Sequence, residues 1–180
     1  EHMLRFVDVV AAAGADRFTV HARKAWLSGL SPRENREIPP LRYEDVHQLK
    51  AERPHLHIEV NGGLNTPDAW AAQLERVDAV MIGRAAYEDP FVFATVDARF
   101  FGEDAPIVDE LDVVREFLPY VAERTAAGDG LRHITRHLLK LFNGRPGARR
   151  WRQKLTNPPE LRGDAAAALV NEALLAVSGG

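Results

Sequence analysis

Residues 56–84 read Leu-His-Ile-Glu-Val-Asn-Gly-Gly-Leu-Asn-Thr-Pro-Asp-Ala-Trp-Ala-Ala-Gln-Leu-Glu-Arg-Val-Asp-Ala-Val-Met-Ile-Gly-Arg. Two short apolar runs, 56–60 and 77–82, bracket a helical pattern over 66–76. Thr66 is a ready N-cap, Pro67 suits the first helical position, and Asp68 suits the positive end of the helix dipole. Strand, helix and strand at this spacing make a βαβ unit: parallel strands joined by a right-handed crossover.

Upstream, Arg17-Phe-Thr-Val-His21 reads as another strand, and Tyr43 to Glu52 as a helix with Val46 and Leu49 inward. Residues 3–15 carry Leu4, Phe6, Val7, Val10 and Ala11 at helical spacing, with Gly14 as a stop. Past Gly102 the strand signal ends. Helical stretches follow at 109–127, 131–142, 147–156 and 164–177, punctuated by Gly128, Gly130, Gly144, Gly147 and Asn157-Pro-Pro159. The expected organisation is an α/β part over 1–102 and an all-α part over 103–180. Three parallel strands leave one face and both edges uncovered. The chain also opens inside a helix, with Met first at position 3. The expectation is that further strands precede residue 1, although Glu-His-Met also fits a cloning remnant.

Composition narrows the class. The 180 residues carry a formal net charge of −3, 46% hydrophobic and 27% charged residues, as an ordinary globular chain does. No apolar run nears the roughly 18 residues of a membrane helix. The absence of Cys excludes a disulfide framework, a thiolate zinc site and a cysteine nucleophile within these residues. No leader pattern marks secretion, so a cytoplasmic protein is expected.

Charge is unevenly placed. Between Gly130 and Leu155 stand eight basic residues and no acidic one: Arg132, Arg136, Lys140, Arg145, Arg149, Arg150, Arg152 and Lys154. Elsewhere fifteen basic residues face 26 acidic ones. A cationic island on an acidic chain points to a polyanion, here nucleic acid. Helical phase predicts Leu131, Ile134, Leu138, Leu141 and Phe142 inward, with Arg132, Arg136 and Lys140 in a stripe on another face.

The strand ends carry the chemistry. His21 opens a polar, basic loop of about twenty residues, far longer than an ordinary βα connection. Asn61-Gly-Gly63 and Gly83-Arg84 end the next two strands. Glycines let the backbone approach a ligand, successive N–H groups form an anion nest, and Arg grips phosphate. Two such turns on consecutive strands match the phosphate site of a (β/α)8 barrel, so a phosphorylated cofactor is expected. P-loop and Rossmann fingerprints are missing. His55 with His57 lacks a third metal ligand, and His133 with His137 sits among cations, so no metal is expected.

Residues 21–41, His-Ala-Arg-Lys-Ala-Trp-Leu-Ser-Gly-Leu-Ser-Pro-Arg-Glu-Asn-Arg-Glu-Ile-Pro-Pro-Leu, resemble the A-type tRNA-dihydrouridine synthases. So do Asn61-Gly-Gly63, Gly83-Arg84-Ala-Ala-Tyr87, His133-Ile-Thr-Arg136-His137 and Gly147-Ala-Arg-Arg-Trp151-Arg152. The resemblance implies a TIM barrel with FMN at the carboxyl ends of its strands, followed by a helical tRNA-binding domain. On that reading residues 1–102 are the C-terminal half of the barrel, with its last three strands, and 103–180 the helical domain. It implies NADPH-dependent reduction of uridine to 5,6-dihydrouridine in the tRNA D-loop, at positions 20 and 20a. It implies FMN contacts at His21, Asn61, Gly62, Gly63, Gly83 and Arg84. The tRNA contacts are expected at Lys24, Arg33, Asn35, Arg36, Arg132, Arg136, Arg149, Arg150 and Arg152. The family's proton donor is a Cys of the barrel's first half, which these residues lack, so the 180 residues alone are expected to be inactive. A monomer is expected of the complete enzyme. Trp26 packs on FMN or RNA, or simply anchors its loop. Two rivals stay open: another FMN barrel oxidoreductase acting on a small molecule, and a plain RNA-binding module.

Overall fold

The computed structural model describes residues 2–103 and 109–178. The chain forms two compact units, residues 1–85 and 86–180. In the first, α1 (His2–Ala12), β1 (Arg17–His21), α2 (Tyr43–Glu52), β2 (His57–Asn61), α3 (Pro67–Leu74) and β3 (Ala79–Met81) alternate; α4 (Arg84–Glu88) starts in the first unit and ends in the second. The strands form a parallel sheet in the order β1-β2-β3. Register sets Val20 beside Val60 and Val60 beside Val80, and it aligns His21, Asn61 and Met81 at the carboxyl end.

Alternation gives the sheet two unlike faces. Ile58 and Val60 are fully buried and join Val7, Val46, Leu49 and Trp70 in the core. Burying each such side chain contributes roughly 1.5–3 kcal/mol. Thr66 starts α3 as expected: its hydroxyl accepts from the Ala69 amide at 3.3 Å. Trp70 locks the turn before it, donating Nε1–H to the Leu64 carbonyl at 3.1 Å. The other face is polar. Arg17 Nη2 lies 3.1 Å from His57 Nε2, and Thr19 donates to Glu59 at 2.7 Å.

Two ion pairs tie the elements at the opposite end of the sheet. Arg53 at the end of α2 grips both carboxylate oxygens of Asp8 on α1, at 2.6 and 2.8 Å. That hydrogen bond holds the Asp8 carboxyl below the usual carboxylate range. Lys50 reaches Asp78 at 2.8 Å, and Asp78 also accepts from the Ile58 amide.

The second unit is helical: α5 (Glu110–Ala126), α6 (Leu131–Thr135), α7 (Ala148–Thr156) and α8 (Asp164–Ser178). Asp109 caps α5 by accepting from the Leu111 amide at 3.0 Å. Trp151 and Phe142, both fully buried, meet edge to face at 4.9 Å. The indole N–H is satisfied by the Leu138 carbonyl at 3.0 Å. Val114, Val121, Leu155, Val170 and Leu174 complete this core.

One expectation needs correction. The helix predicted over 131–142 ends at Thr135. Successive i to i+3 turns then carry the chain onward, from Leu138 N to Thr135 O, Leu141 N to Leu138 O and Asn143 N to Lys140 O. The Thr135 hydroxyl bonds back to the Leu131 carbonyl at 3.0 Å and lies 3.3 Å from the Leu155 carbonyl, a competition that bends or ends helices. Arg132, Arg136 and Lys140 are therefore not one continuous helical stripe. The second compact unit begins at Ala86. Phe91 packs on the helical core, and short 3₁₀ and π turns over 90–101 lead to it.

Candidate functional site

A cleft of about 210 Å³ opens at the carboxyl ends of the strands, lined by His21, Arg36, Asn61, Gly62, Gly63, Gly83 and Arg84 among others. Every cofactor-binding candidate named from the sequence lines it. None of its lining residues is acidic.

The glycines differ in what they are for. Gly62 and Gly63 have φ of +112° and +69°, which L side chains rarely adopt. A Cβ on Gly62 would meet the His21 ring and Leu41, each at 3.1 Å. A Cβ on Gly63 would come within 2.5 Å of Leu41. Both are glycine because the turn is tightly packed from behind. Gly83 has no positive φ and nothing within 4 Å of its would-be Cβ. Its open side leaves room for a ligand.

Sequence reading missed Tyr43. Its hydroxyl donates to the Gly62 carbonyl at 2.5 Å. Peptide bonds among the described residues are trans, so fixing that carbonyl turns the Gly63 N–H to the side away from Tyr43. Burial pushes the Tyr43 hydroxyl's pKa up, against the pull of Arg23, and so keeps it a donor. No local pattern signals this contact, because the partners lie nineteen residues apart.

The guanidinium of Arg84 is held at the cleft's rim, 3.4 Å from Glu37 and 3.4 Å from the Arg36 carbonyl. Arg23 braces the base of the long loop by donating to the Glu37 and Pro39 carbonyls. The Asn61 side chain is spent within the sheet, donating to the Met81 carbonyl at 2.8 Å. Asn35 is likewise turned inward. It accepts from the Trp26 amide at 2.8 Å and donates to the Trp26 carbonyl at 2.9 Å, which makes it a brace of the loop. Lys24, Arg33 and Arg36 are exposed on that loop, with Trp26 and Leu27 at its tip, Leu27 almost fully exposed.

Burial first, then the positive charges of Arg23 and Arg84, push the His21 pKa below its ordinary value. His21 is thus uncharged at neutral pH. The unfolded chain binds this proton more readily, so stability contributed here falls as pH drops through the ordinary His range. A proton-NMR titration of the His21 ring should show a midpoint below that of an exposed His, and His21→Gln should flatten the acid limb of urea-melt stability. A midpoint at or above the ordinary value would contradict this environment.

In the helical unit the cations divide. Arg145 pairs with Asp109 and Glu110, each at 3.1 Å, and Lys154 pairs with Glu172. Acids distant in sequence therefore neutralise two of the eight. Arg132, Arg149 and Arg150 are exposed and make no ion pair among the described residues. Arg136 donates Nε–H to His137 at 3.1 Å, and Arg152 donates to Asn143 at 3.0 Å. Among the described residues no three His, Cys, Asp or Glu side chains gather as a metal site, and no helix is long and apolar enough to cross a membrane.

Comparison with known proteins decides the family: residues 1–176 match the dihydrouridine synthases. The chain belongs to the dihydrouridine synthase family. It is 55% identical over 157 residues to a tRNA-dihydrouridine(20/20a) synthase of a Synechocystis strain, covering 87% of this chain and 47% of that protein. It is 46% identical over 179 residues to the protein so named from Yersinia pestis, covering 99% of this chain and 52% of that one. The Vibrio parahaemolyticus protein of that name is 48% identical over 157 residues, again 87% of this chain and 48% of its own length. The chain thus spans about half the length of these relatives. The dihydrouridine synthase match takes in the whole cleft and the whole basic stretch of the helical unit.

Proposed function

We propose that the full-length protein is a tRNA-dihydrouridine synthase that reduces uridine to 5,6-dihydrouridine in the tRNA D-loop at positions 20/20a. FMN is its cofactor and NADPH its reductant. Within it, residues 1–102 form the second half of a (β/α)8 TIM barrel and residues 103–180 a helical tRNA-binding domain. A monomeric, cytoplasmic enzyme follows from that reading.

The observation that carries it is the acid-free cleft at the strand ends. Its donor set fits a phosphate: the Gly63 N–H set by Tyr43, the open backbone at Gly83, and the guanidinium groups of Arg36 and Arg84. Sites that enclose a whole cofactor run about 300–1,000 Å³. At about 210 Å³ these residues supply the phosphate end of an FMN site. FMN, when bound, supplies the redox chemistry. His21, uncharged, lines the cleft without adding a second positive field. Arg84 holds its place through Glu37, so the carboxylate orients the guanidinium and tempers its charge. The reaction needs an acid to protonate the uracil. The resemblance assigns that to a Cys, which lies outside these 180 residues. The target base must leave its stack to reach a pocket, which costs a few kcal/mol and favours unpaired loop nucleotides.

The test of the activity is incubation of the full-length protein with unmodified tRNA and NADPH. Dihydrouridine at position 20 or 20a and co-purified flavin support the reading; their absence overturns it.

The tRNA surface has its own prediction. Each phosphate neutralised by a cation contributes about 0.9 to the slope of log affinity against log salt on a duplex, somewhat less on single strands. Arg136→Glu with Arg152→Glu should therefore lower the slope by roughly 1.5 to 2, weaken tRNA binding at low salt and leave flavin content unchanged. Filter binding across a salt series measures it. An unaltered slope would make these residues a solvated face and leave docking to Lys24 and Arg33.

A further inference from the structure

We propose that Tyr87 and His137 form a stacking site for one unpaired base of the bound RNA, with Arg136 and Arg152 placed for its flanking phosphates. This rests on the tRNA reading above.

Tyr87 is 58% exposed, an unusual position for a large ring with no apolar cover. Its ring lies 5.6 Å from that of His137, tilted by 52°, so two aromatic groups present one broken surface. The Arg136 Nε–H donates to His137 Nε2, which brings a guanidinium to the edge of that surface. Asn143 donates to the Glu88 carbonyl at 3.2 Å and accepts from Arg152 at 3.0 Å. The residue after Tyr87 is thereby tied to a second guanidinium. Nearby Arg132 and Lys140 are exposed. The nearest acids in sequence are Glu88 and Asp89, which bound the patch on one side.

Exposed rings between guanidinium groups are the chemistry of a stacking platform: any base offers a π face, and phosphates on either side meet positive charge. A duplex hides those faces, so the occupant is a loop nucleotide. A hydrophobic protein partner would want a continuous apolar patch, and here cations interrupt it.

The experiment compares two RNAs with the full-length protein. One is a hairpin with 2-aminopurine in an unpaired loop; the other is a blunt duplex of equal charge. Binding should quench the 2-aminopurine. Tyr87→Ala should remove the quenching and weaken hairpin binding about tenfold, in the range that removing a stacking partner costs. Duplex affinity and the salt slope should not move, and Tyr87→Phe should behave as the unmodified chain. Unchanged quenching and affinity in Tyr87→Ala would overturn the stacking site, as would an equal loss on hairpin and duplex. Failure of the unmodified full-length protein to bind either RNA would overturn the tRNA reading itself, and the stacking site with it.

Discussion

Gly147→Ala should destabilise the helical unit by about 2–5 kcal/mol, the sum of a left-handed backbone penalty and a forced overpacking. Gly147 precedes α7 with φ of +81°, and a Cβ there would lie 2.0 Å from the Ala176 carbonyl oxygen. It would also lie 2.8 Å from the Val177 Cα. These are backbone atoms of α8 and cannot swing aside as a side-chain tip can. Relief requires α7 and α8 to separate, which would open the packing around Trp151 and Leu174. Gly144→Ala is the matched control. Its φ is +83°, almost the same, but nothing lies within 4 Å of its would-be Cβ. It should cost only about 1 kcal/mol, the conformational part alone. Urea melts of the two variants read the difference, and equal midpoints would show that α7 does not approach α8 in this way.

The contrast between these glycines marks what a sequence can and cannot disclose. Strands β1 and β2 and helices α2, α5, α7 and α8 appear within a residue or two of their predicted limits, because apolar period, caps and Gly or Pro punctuation all agree there. The cleft residues were legible too, since the ends of parallel strands must face one side whatever the rest of the chain does. The run after Thr135 was not. Its apolar spacing continues a helix, while a hydroxyl bonding to Leu131, and to Leu155 twenty residues on, ends it. The cationic island holds fewer free cations than its sequence suggests, for a related reason. A window of sequence has no view of Asp109, Glu110 or Glu172, which reach Arg145 and Lys154 only in the folded chain. Asn35 looked like a ligand-facing polar group and is a brace. Tyr43 looked like the start of a helix and is the group that sets a peptide of the cleft. In each case the deciding contact is non-local.

Gly83→Val should abolish most FMN binding by the full-length protein, a loss of at least about 100-fold, while leaving the fold intact. Its φ is not positive and its neighbourhood is open, so a valine strains nothing there. It would stand where the proposed FMN phosphate approaches the backbone. Losing two hydrogen bonds to a charged oxygen, about 1.5–3 kcal/mol each, gives that factor. Gly62→Val is the poorer probe. Its φ of +112° and its contacts with His21 and Leu41 mean that lost affinity would come with lost stability. Tyr43→Phe separates the two causes. It removes one hydroxyl, keeps the ring, and frees the Gly62 carbonyl that fixes the direction of the Gly63 N–H. Affinity for FMN should fall about tenfold, with a smaller change in the urea midpoint. Flavin fluorescence titration measures all three. If Gly83→Val binds FMN as the unmodified protein does, the phosphate does not lie at the end of β3. If Tyr43→Phe alone is silent, the phosphate is held there without the Gly63 N–H.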